Sequence, residues 1–239
     1  MAIGFSTGSI AHGDFKTALQ ILQDQDIHAI ELSALREDEL HPLFLAINDL
    51  DLAKYNYVSV HAHSKRIQLA EKELVNVLVA FAEKTWPIIV HPDIICEVDL
   101  WRILGNKLCI ENMDKRKPCG RTMFDLKQIF NELPEAGFCL DVAHAKQVDP
   151  TMTECYLMIS KFKDKLLQLH VSDVTTESNH IPLNEQAIVA YQKIVKYLPQ
   201  DLPVILESPI PFSITQKEKI ANEIALAGDI FQGHPSMSF

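Results

Sequence analysis

Long apolar stretches and a leader-like N-terminus are missing from this sequence. No segment approaches the roughly 18 uninterrupted apolar residues that a membrane-spanning helix requires. The opening residues, MAIGFSTGSI, lack both the basic start and the long apolar centre of a secretion signal. These absences predict a protein that is neither exported nor bound to a membrane.

Cysteine pairs and linkers are missing as well. The five cysteines are odd in number and form no CxxC pair, and two of them lie inside apolar runs where a reduced thiol packs as a small apolar group. Such usage is typical of a reducing compartment, so we expect a cytoplasmic protein. No low-complexity stretch divides the chain, and 47% of its 239 residues are hydrophobic, enough for a sizeable core. We therefore predict one domain over residues 1–239.

Positive charge is in short supply. The chain has 22 lysine and arginine residues against 32 aspartate and glutamate residues, a formal net charge of −10. A negative surface repels polyanions unless bound cations or a local basic face reverse the field at one site. The composition therefore argues against nucleic acid as a partner, and it leaves the oligomeric state open.

Short apolar runs rich in β-branched residues recur along the chain, separated by segments with apolar residues at helical spacing. Most steps between run starts are about thirty residues, the size of a βα unit. There are eight runs, at residues 2–5, 27–32, 57–63, 87–92, 107–112, 137–144, 166–173 and 203–208. They predict an α/β fold with a parallel sheet covered on both faces, closed as a single (β/α)₈ TIM barrel. A doubly wound open sheet is the alternative.

Metal-binding and proton-transferring side chains stand at the ends of six of these runs. The carboxyl ends of barrel strands meet at one rim, where the active sites of this architecture lie. Any one of these residues alone is more often a solvated or capping group. Together, unpaired carboxylates beside imidazoles at an apolar rim would be costly unless a divalent cation neutralised them. The strand-end residues are His61, His63, His91, Glu111, Asp141, His144, His170 and Glu207.

Four segments resemble motifs of the xylose isomerase-like barrels, a family that includes sugar isomerases and epimerases and the repair enzyme endonuclease IV. The segments are CLDVAHA, LHVSD, HIPLNE and LES, and the resemblance extends from GFSTGSI to VILESPI. It implies that one divalent metal is held by four residues, and that a second could be held by His61, His91 and a bridging Glu111. The four residues are Glu111, Asp141, His170 and Glu207.

The resemblance also implies roles for three other histidines. His144 would face the mouth and contact substrate or a further ion together with His180. A third metal site of the endonuclease type would need an aspartate two residues before His180, where this chain has Ser178. A hydroxyl is a poor substitute for a carboxylate on such a cation, so a full third site is not expected. For His63 we expect a substrate contact or a supporting position behind the ligands.

Two functions remain open at the same site. A sugar isomerase or epimerase would hold the hydroxyl and carbonyl oxygens of an open-chain sugar on a metal, with Glu111 and Glu207 as catalytic acid and base. An endonuclease IV-like phosphodiesterase would use two or three metals to activate hydroxide. We favour the isomerase, with one or two ions of manganese, cobalt or zinc, because oxygen and nitrogen ligands without thiolate suit these metals. A catalytically silent metal-binding relative is a third possibility.

The surroundings of the site are less informative. An HxH pair also opens the metal sites of amidohydrolase and histidinol phosphatase-type barrels, but there it lies on the first strand, not the third. The loops after the seventh and eighth runs are not glycine-rich, so a phosphorylated sugar is not specifically indicated. Basic loop residues could bind an acid or phosphate group, although they are more often solvated. They are Lys65, Arg66, Lys115, Arg116 and Arg121. We predict ordinary surface positions for His12, His28, His41 and His234.

Overall fold

The computed structural model describes residues 1–65 and 69–231. Arg66 and His234, two residues considered above, lie outside these ranges. The barrel strands are β1 (Ile3–Ser6), β2 (Ala29–Ser33), β3 (Tyr57–His61), β4 (Ile88–Val90), β5 (Leu108–Glu111), β6 (Gly137–Asp141), β7 (Leu166–Val171) and β10 (Val204–Leu206). These eight parallel strands form a closed barrel in the order β1-β10-β7-β6-β5-β4-β3-β2, which confirms the predicted (β/α)₈ barrel over the open sheet. Strands β8 (Asp173–Val174) and β9 (His180–Ile181) form a small antiparallel ribbon in the loop after β7.

Helices surround the barrel. Within the described residues they are α1 (Thr7–Ala11), α2 (Phe15–Leu22), α3 (Glu37–Ala46), α4 (Glu71–Ala82), α5 (Val98–Trp101), α6 (Met123–Glu132), α7 (Val142–Val148), α8 (Thr153–Phe162), α9 (Glu185–Gln192) and α10 (Gln216–Phe231). The short step between the fourth and fifth runs is explained by α5, which has only four residues and continues into a 3₁₀ turn. None of these helices is long and apolar enough to cross a membrane.

Side-chain caps fix where several helices begin. Asp14 and Thr122 accept the backbone N–H of the residue three positions later, and Asn184 does the same at α9. Each such cap satisfies one N–H that has no partner within its helix, and losing it costs about 1 kcal/mol. Each of these three helices therefore begins at a defined residue.

The core lies between the strands and the helices. Phe130 of α6, Phe138 of β6 and Phe162 of α8 form one edge-to-face cluster, with ring centroids 4.9 to 6.0 Å apart. Because neighbouring residues of a strand face opposite sides, the residues on either side of Phe138 point into the barrel. Glycine is required at one interior position, since a Cβ on Gly4 would lie 1.7 Å from the carbonyl oxygen of Ala29.

Six of the eight predicted runs extend one to three residues past the end of their strand. The run at 57–63 forms a strand only to His61, and the run at 137–144 becomes helical after Asp141. Asp141 is the reason for the second change, because its Oδ1 accepts the N–H of His144 at 2.7 Å and caps α7. The Asp141–His144 pair is therefore a strand end joined directly to a helix start.

Candidate metal centre

The strand-end residues converge at the carboxyl end of the barrel. His61, Glu111 and Asp141 are the last residues of their strands, and His170 precedes the last residue of β7. His91 and Glu207 directly follow β4 and β10. The strands run parallel around a closed ring, so these six side chains come from one rim and face inward. All six have side chains at most 12% exposed.

Glu111 lies at the centre of the cluster. Its Oε2 is 3.1 Å from Nε2 of His61 and 3.2 Å from Nε2 of His91. Its Oε1 is 3.3 Å from Nδ1 of His144 and 3.5 Å from Nδ1 of His170. A single carboxylate thus faces imidazoles on both sides, which is the geometry required of a group that bridges two ions.

Four overlapping groups of side chains offer ligand atoms within 4.8 Å of one another, all within the described residues. They are Glu111, Asp141, His170 and Glu207; His61, His91 and Glu111; Asp141, His144 and His180; and Glu31, His61, His170 and Glu207. We call the first of these the carboxylate-rich group and the second the imidazole-rich group. Both match ligand sets that the family resemblance implied.

Unsatisfied buried atoms indicate that the carboxylate-rich group fits a cation. Within the described part of the chain, Asp141 Oδ2 and His170 Nδ1 are buried and have no hydrogen-bond partner. Leaving such atoms unpaired costs about 1–3 kcal/mol each, and more when the group is charged. A divalent ion would satisfy both, and its charge would offset the three neighbouring carboxylates. Oxygen and nitrogen donors of this kind suit manganese, cobalt or zinc.

The titration behaviour of the cluster reflects its burial and its charges. Burial opposes the charged form of His61, but the hydrogen bond to Glu111 and the charges of Glu31 and Glu111 raise its pKa to about 9. The pKa of His144 rises to about 10, since Asp141 and Glu111 outweigh burial. Burial alone would raise the pKa of Glu111, yet the charges of His170 and His91 hold it well below its usual value. The cluster therefore holds imidazolium–carboxylate pairs wherever no ion replaces the protons.

Hydrogen bonds fix which nitrogen of His61 faces the cluster. Nδ1 lies 2.6 Å from the carbonyl oxygen of Ala62, and because that oxygen can only accept, Nδ1 carries a proton. Nε2 is left facing Glu111. A fixed backbone bond of this kind is the usual way in which a protein sets the ligand nitrogen of a histidine.

Asn112, which the sequence did not single out, fastens the ends of β5 and β6 together. Its Nδ2 donates to the carbonyl oxygen of Asp141 at 2.9 Å, and its Oδ1 accepts the N–H of Asp141 at 2.8 Å. The carbonyl oxygen of Asn112 also accepts from Nδ1 of His144 at 3.0 Å. One buried amide next to Glu111 therefore positions Asp141, and its backbone positions His144. The polar residue ending the run KLCIEN was the available signal.

Asp141, His144 and His180 lie together, without a carboxylate at position 178. His180 Nδ1 lies 2.7 Å from Oγ of Ser172, and its ring centroid is 5.4 Å from that of His144. Ser178 adopts a left-handed backbone (φ 60°), and its hydroxyl donates to Gln147 rather than to the cluster. Asp141 is the only acid of this group, so it would have to serve two ions if a third were bound.

His63 is not brought into the cluster. It is buried, neither ring nitrogen has a hydrogen-bond partner within the described residues, and it does not line the central cavity. Burial lowers its pKa, and Glu37 is the acidic group that acts on it. A substrate contact by His63 stays a prediction.

The cluster opens into a cavity of about 350 Å³. Its lining contains His144, His180 and Glu207 but no phenylalanine, tyrosine or tryptophan among the described residues. Three of its lining residues are basic, and Arg116 and Lys117 are already paired with Asp114 and Asp93. The basic lining residues are Lys65, Arg116 and Lys117. Lys115 and Arg121 do not line the cavity.

Two expectations about other residues differ from the structure. His12, predicted as an ordinary surface residue, is exposed but lines the cavity and has a left-handed backbone (φ 51°). Glu31 was not predicted at all, although it lies in the middle of the buried strand β2 and joins one of the four groups. A carboxylate inside the apolar run AIEL was a usable signal, since an unpaired charge there would be costly.

The cysteines are not part of any of the four groups. Cys109 and Cys139 are buried and pack against Ile89 and Leu167. Burial raises the pKa of both thiols well above its usual value and so disfavours the thiolate that a metal requires. The four groups therefore offer only oxygen and nitrogen donors, and the choice of metal stays a prediction.

Comparison with known proteins places these features in a family. The family model described as xylose isomerase-like TIM barrel matches residues 96–226, more than half of the chain. This stretch contains Glu111, Asp141, His144, His170 and Glu207. No curated protein sequence matches the chain.

Solved structures with the same fold include both epimerases and an endonuclease. A D-tagatose 3-epimerase-like protein is 15% identical with a TM-score of 0.65, covering 98% of this chain and 99% of its own. Endonuclease IV from Thermus thermophilus is 16% identical with a TM-score of 0.61, covering 96% and 100%. The 3-keto-D-glucoside 4-epimerase from E. coli is 13% identical with a TM-score of 0.57, covering 94% and 99%. At these identities the likeness establishes the barrel fold and not the reaction.

Proposed function

The chain belongs to the xylose isomerase-like TIM-barrel family, and on that premise we propose that it is a divalent-metal-dependent isomerase or epimerase of a sugar or sugar-derived substrate. The observation that carries the proposal is the arrangement of Glu111 and Glu207, whose carboxylates each lie 3.5 Å from Nδ1 of His170. A sugar bound between two such carboxylates could lose a proton to one of them and regain a proton from the other.

The environments of these glutamates separate their pKa values. Burial raises the pKa of Glu207 to about 8, and the nearby charges of Glu111 and Asp141 add to the effect. The pKa of Glu111 is instead held low by His170 and His91. Carboxyl groups whose pKa values are pushed apart are typical of acid–base pairs. The positive charge of a bound ion would lower the pKa of Glu207 and favour its carboxylate.

An ion held by the carboxylate-rich group would polarise the adjacent carbonyl and hydroxyl oxygens of an open-chain sugar. Glu207 removes the proton from the carbon next to the carbonyl, and the electron pair of the broken C–H bond moves onto the carbonyl oxygen to give an enediolate. Glu111 returns a proton to carbon, which it takes from the imidazolium of His144, whose Nδ1 lies 3.3 Å from its Oε1. Exchange with solvent then reprotonates His144 and removes the proton held by Glu207. The buried histidines around the two carboxylates exclude water and keep both oriented, and a cavity of about 350 Å³ suits a small substrate.

The test is exchange of the substrate's carbon-bound proton. Wild-type protein is incubated with manganese and a panel of ketoses in deuterated water, and deuterium next to the carbonyl is measured by NMR. Replacing the base with Glu207→Gln is expected to lower the exchange rate by roughly 10²- to 10⁴-fold. Glu71→Gln is the matched control, because Glu71 is a buried glutamate that does not line the cavity. Exchange that survives Glu207→Gln unchanged would refute the assignment of the base.

An endonuclease IV-like phosphodiesterase is the second candidate, and the imidazole-rich group favours it. His61, His91 and Glu111 offer a second ion site beside the first, as a two-metal hydrolase needs. The net charge of −10 and the serine at position 178 argue against DNA cleavage. Duplex DNA with an abasic site, incubated in parallel with the ketoses, separates the two. Strand cleavage without proton exchange would refute the isomerase and support the phosphodiesterase. A protein that binds metal but has neither activity would be a catalytically silent metal-binding relative.

A further inference from the structure

Glu31 is a buried carboxylate beneath the candidate metal centre. It is the third residue of β2, its accessible surface is 0%, and it does not line the cavity. It faces Ser59 of β3 in the strand register. A charge in such a position is stable only if its surroundings donate to it. The hydrogen-bond partners of Glu31 therefore indicate its role.

Three hydrogen-bonding side chains surround one oxygen of Glu31. Its Oε2 accepts from Oγ of Ser59 at 3.1 Å and from Nε2 of Gln168 at 2.8 Å, and it lies 3.0 Å from Nε2 of His170. Tyr57 fixes the amide of Gln168, because its hydroxyl donates to Oε1 at 2.7 Å and so leaves Nε2 facing Glu31. The network connects three strands, β2, β3 and β7, beneath the cavity.

The consequence concerns the two nitrogens of His170. Nε2 faces Glu31, whereas Nδ1 faces Glu111 and Glu207 at 3.5 Å and has no hydrogen bond. Nε2 is also 2.7 Å from Nε2 of Gln168, so an unprotonated Nε2 could accept from that amide instead. A bond from Nε2–H to a carboxylate is charge-assisted and stronger than a neutral amide–imidazole bond. Glu31 therefore favours the tautomer that carries its proton on Nε2.

Resting on the proposed function and its metal, we propose that Glu31 is a positioning residue that holds the Nε2–H of His170 and turns its Nδ1 toward Glu111 and Glu207 as the ion-binding atom. Carboxylates behind ligand histidines commonly fix the ring and increase its basicity. Glu31 acts through His170 and does not itself touch the ion. An ion shared directly by Glu31 and His170 would instead require an unprotonated Nε2.

The first experiment measures ion affinity in variants. Binding of Co²⁺ and Mn²⁺ is titrated in competition with a chromophoric chelator for the wild type, Glu31→Gln and Glu71→Gln. Glu31→Gln keeps the size of the side chain and removes its charge, so affinity is expected to fall by roughly 10- to 100-fold. Glu71→Gln removes a buried carboxylate that accepts from Cys96, Glu97 and Trp101, away from the cavity, and should leave affinity unchanged. Equal affinity of the wild type and Glu31→Gln would overturn the proposal.

The second experiment needs no Glu31 variant to fold. The tautomer of His170 is read from long-range ¹H–¹⁵N couplings in wild-type protein labelled at histidine, with and without Zn²⁺, and the signal is assigned by its loss in His170→Gln. The proposal predicts a proton on Nε2 in both states. A ring whose proton is on Nδ1 alone, or an Nδ1 that keeps its proton when Zn²⁺ is bound, would overturn it. Failure of the wild type to bind any ion would overturn the proposed function, whereas wild-type binding with the Nδ1–H tautomer would overturn only the role of Glu31.

Discussion

The carboxylate-rich and imidazole-rich groups share Glu111 but differ in how well they are satisfied without an ion. In the imidazole-rich group one carboxylate oxygen faces two imidazoles at 3.1 and 3.2 Å, and within the described residues Nδ1 of His91 is its one buried atom without a hydrogen-bond partner. The carboxylate-rich group has three acids for one histidine and leaves both Asp141 Oδ2 and His170 Nδ1 without partners. The carboxylate-rich group, with its excess of acids, therefore gains more from a cation. We therefore expect one tightly held ion there and a weaker second position, which suits an isomerase better than a two-metal hydrolase.

Replacing Glu111, the residue that both groups share, should lower ion affinity more than any other change considered. Glu111→Gln takes a charge from both groups at once and leaves His61, His91 and His170 without their common acceptor. Ion affinity is expected to fall by more than the roughly 10- to 100-fold typical of a residue behind the ligands. The measurement is chelator competition, with circular dichroism to establish folding. Retention of one ion at wild-type affinity would show that Glu111 is not a ligand.

A pair of variants should show which of the two groups holds the tight ion. Asp141→Asn alters only the carboxylate-rich group, and His91→Gln alters only the imidazole-rich group. We expect Asp141→Asn to abolish the tight ion and its stabilisation of the fold, which for the wild type is about 2.7 kcal/mol at an ion concentration 100 times Kd. His91→Gln should keep both. The readout is the thermal midpoint with and without Mn²⁺, and the reverse pattern would place the tight ion in the imidazole-rich group.

The pH dependence of ion affinity should be the smallest of these effects, because protons compete with the ion for the same ligand atoms. Ion binding requires deprotonated ligands. In the ion-free chain burial raises the pKa of Glu207 to about 8, and despite burial Cys139 and the neighbouring carboxylates hold the pKa of His170 well above its usual value. Each proton is bound below its pKa, so apparent affinity should increase with pH through this range and level off above it. Calorimetry in buffers of different ionisation enthalpy measures the protons released. Affinity that is flat from about pH 6 to about pH 9 would contradict the assignment of these ligands.

The barrel fold and the convergence of the strand-end residues could be predicted because the spacing of the apolar runs is compatible with few folds. Eight apolar runs spaced like βα units admit few folds, and their carboxyl ends must meet in a closed parallel barrel, so the convergence of His61 and Glu207 followed from strand order alone. The strand ends at His61 and Asp141 were harder, because apolar residues continue past the point where Asp141 caps a helix. A cap competes with strand extension, and only the backbone geometry decides which prevails.

Residues that act from inside the barrel were missed for a different reason. Glu31 and Asn112 are polar residues whose partners lie on other strands, 137 and 29 positions away in the chain. Their role depends on register between strands, which hydrophobic periodicity does not specify in detail. His12 was misjudged because a left-handed turn at its position returns the loop after α1 toward the cavity.

The number of ions bound per chain tests directly whether the carboxylate-rich group holds a single tight ion. Wild-type protein purified without chelator, and the same protein after dialysis against buffer, would be measured by inductively coupled plasma mass spectrometry. We predict one manganese, cobalt or zinc ion per chain that survives dialysis, and we expect Asp141→Asn to lose it. Two or three ions retained per wild-type chain would contradict it and favour the hydrolase.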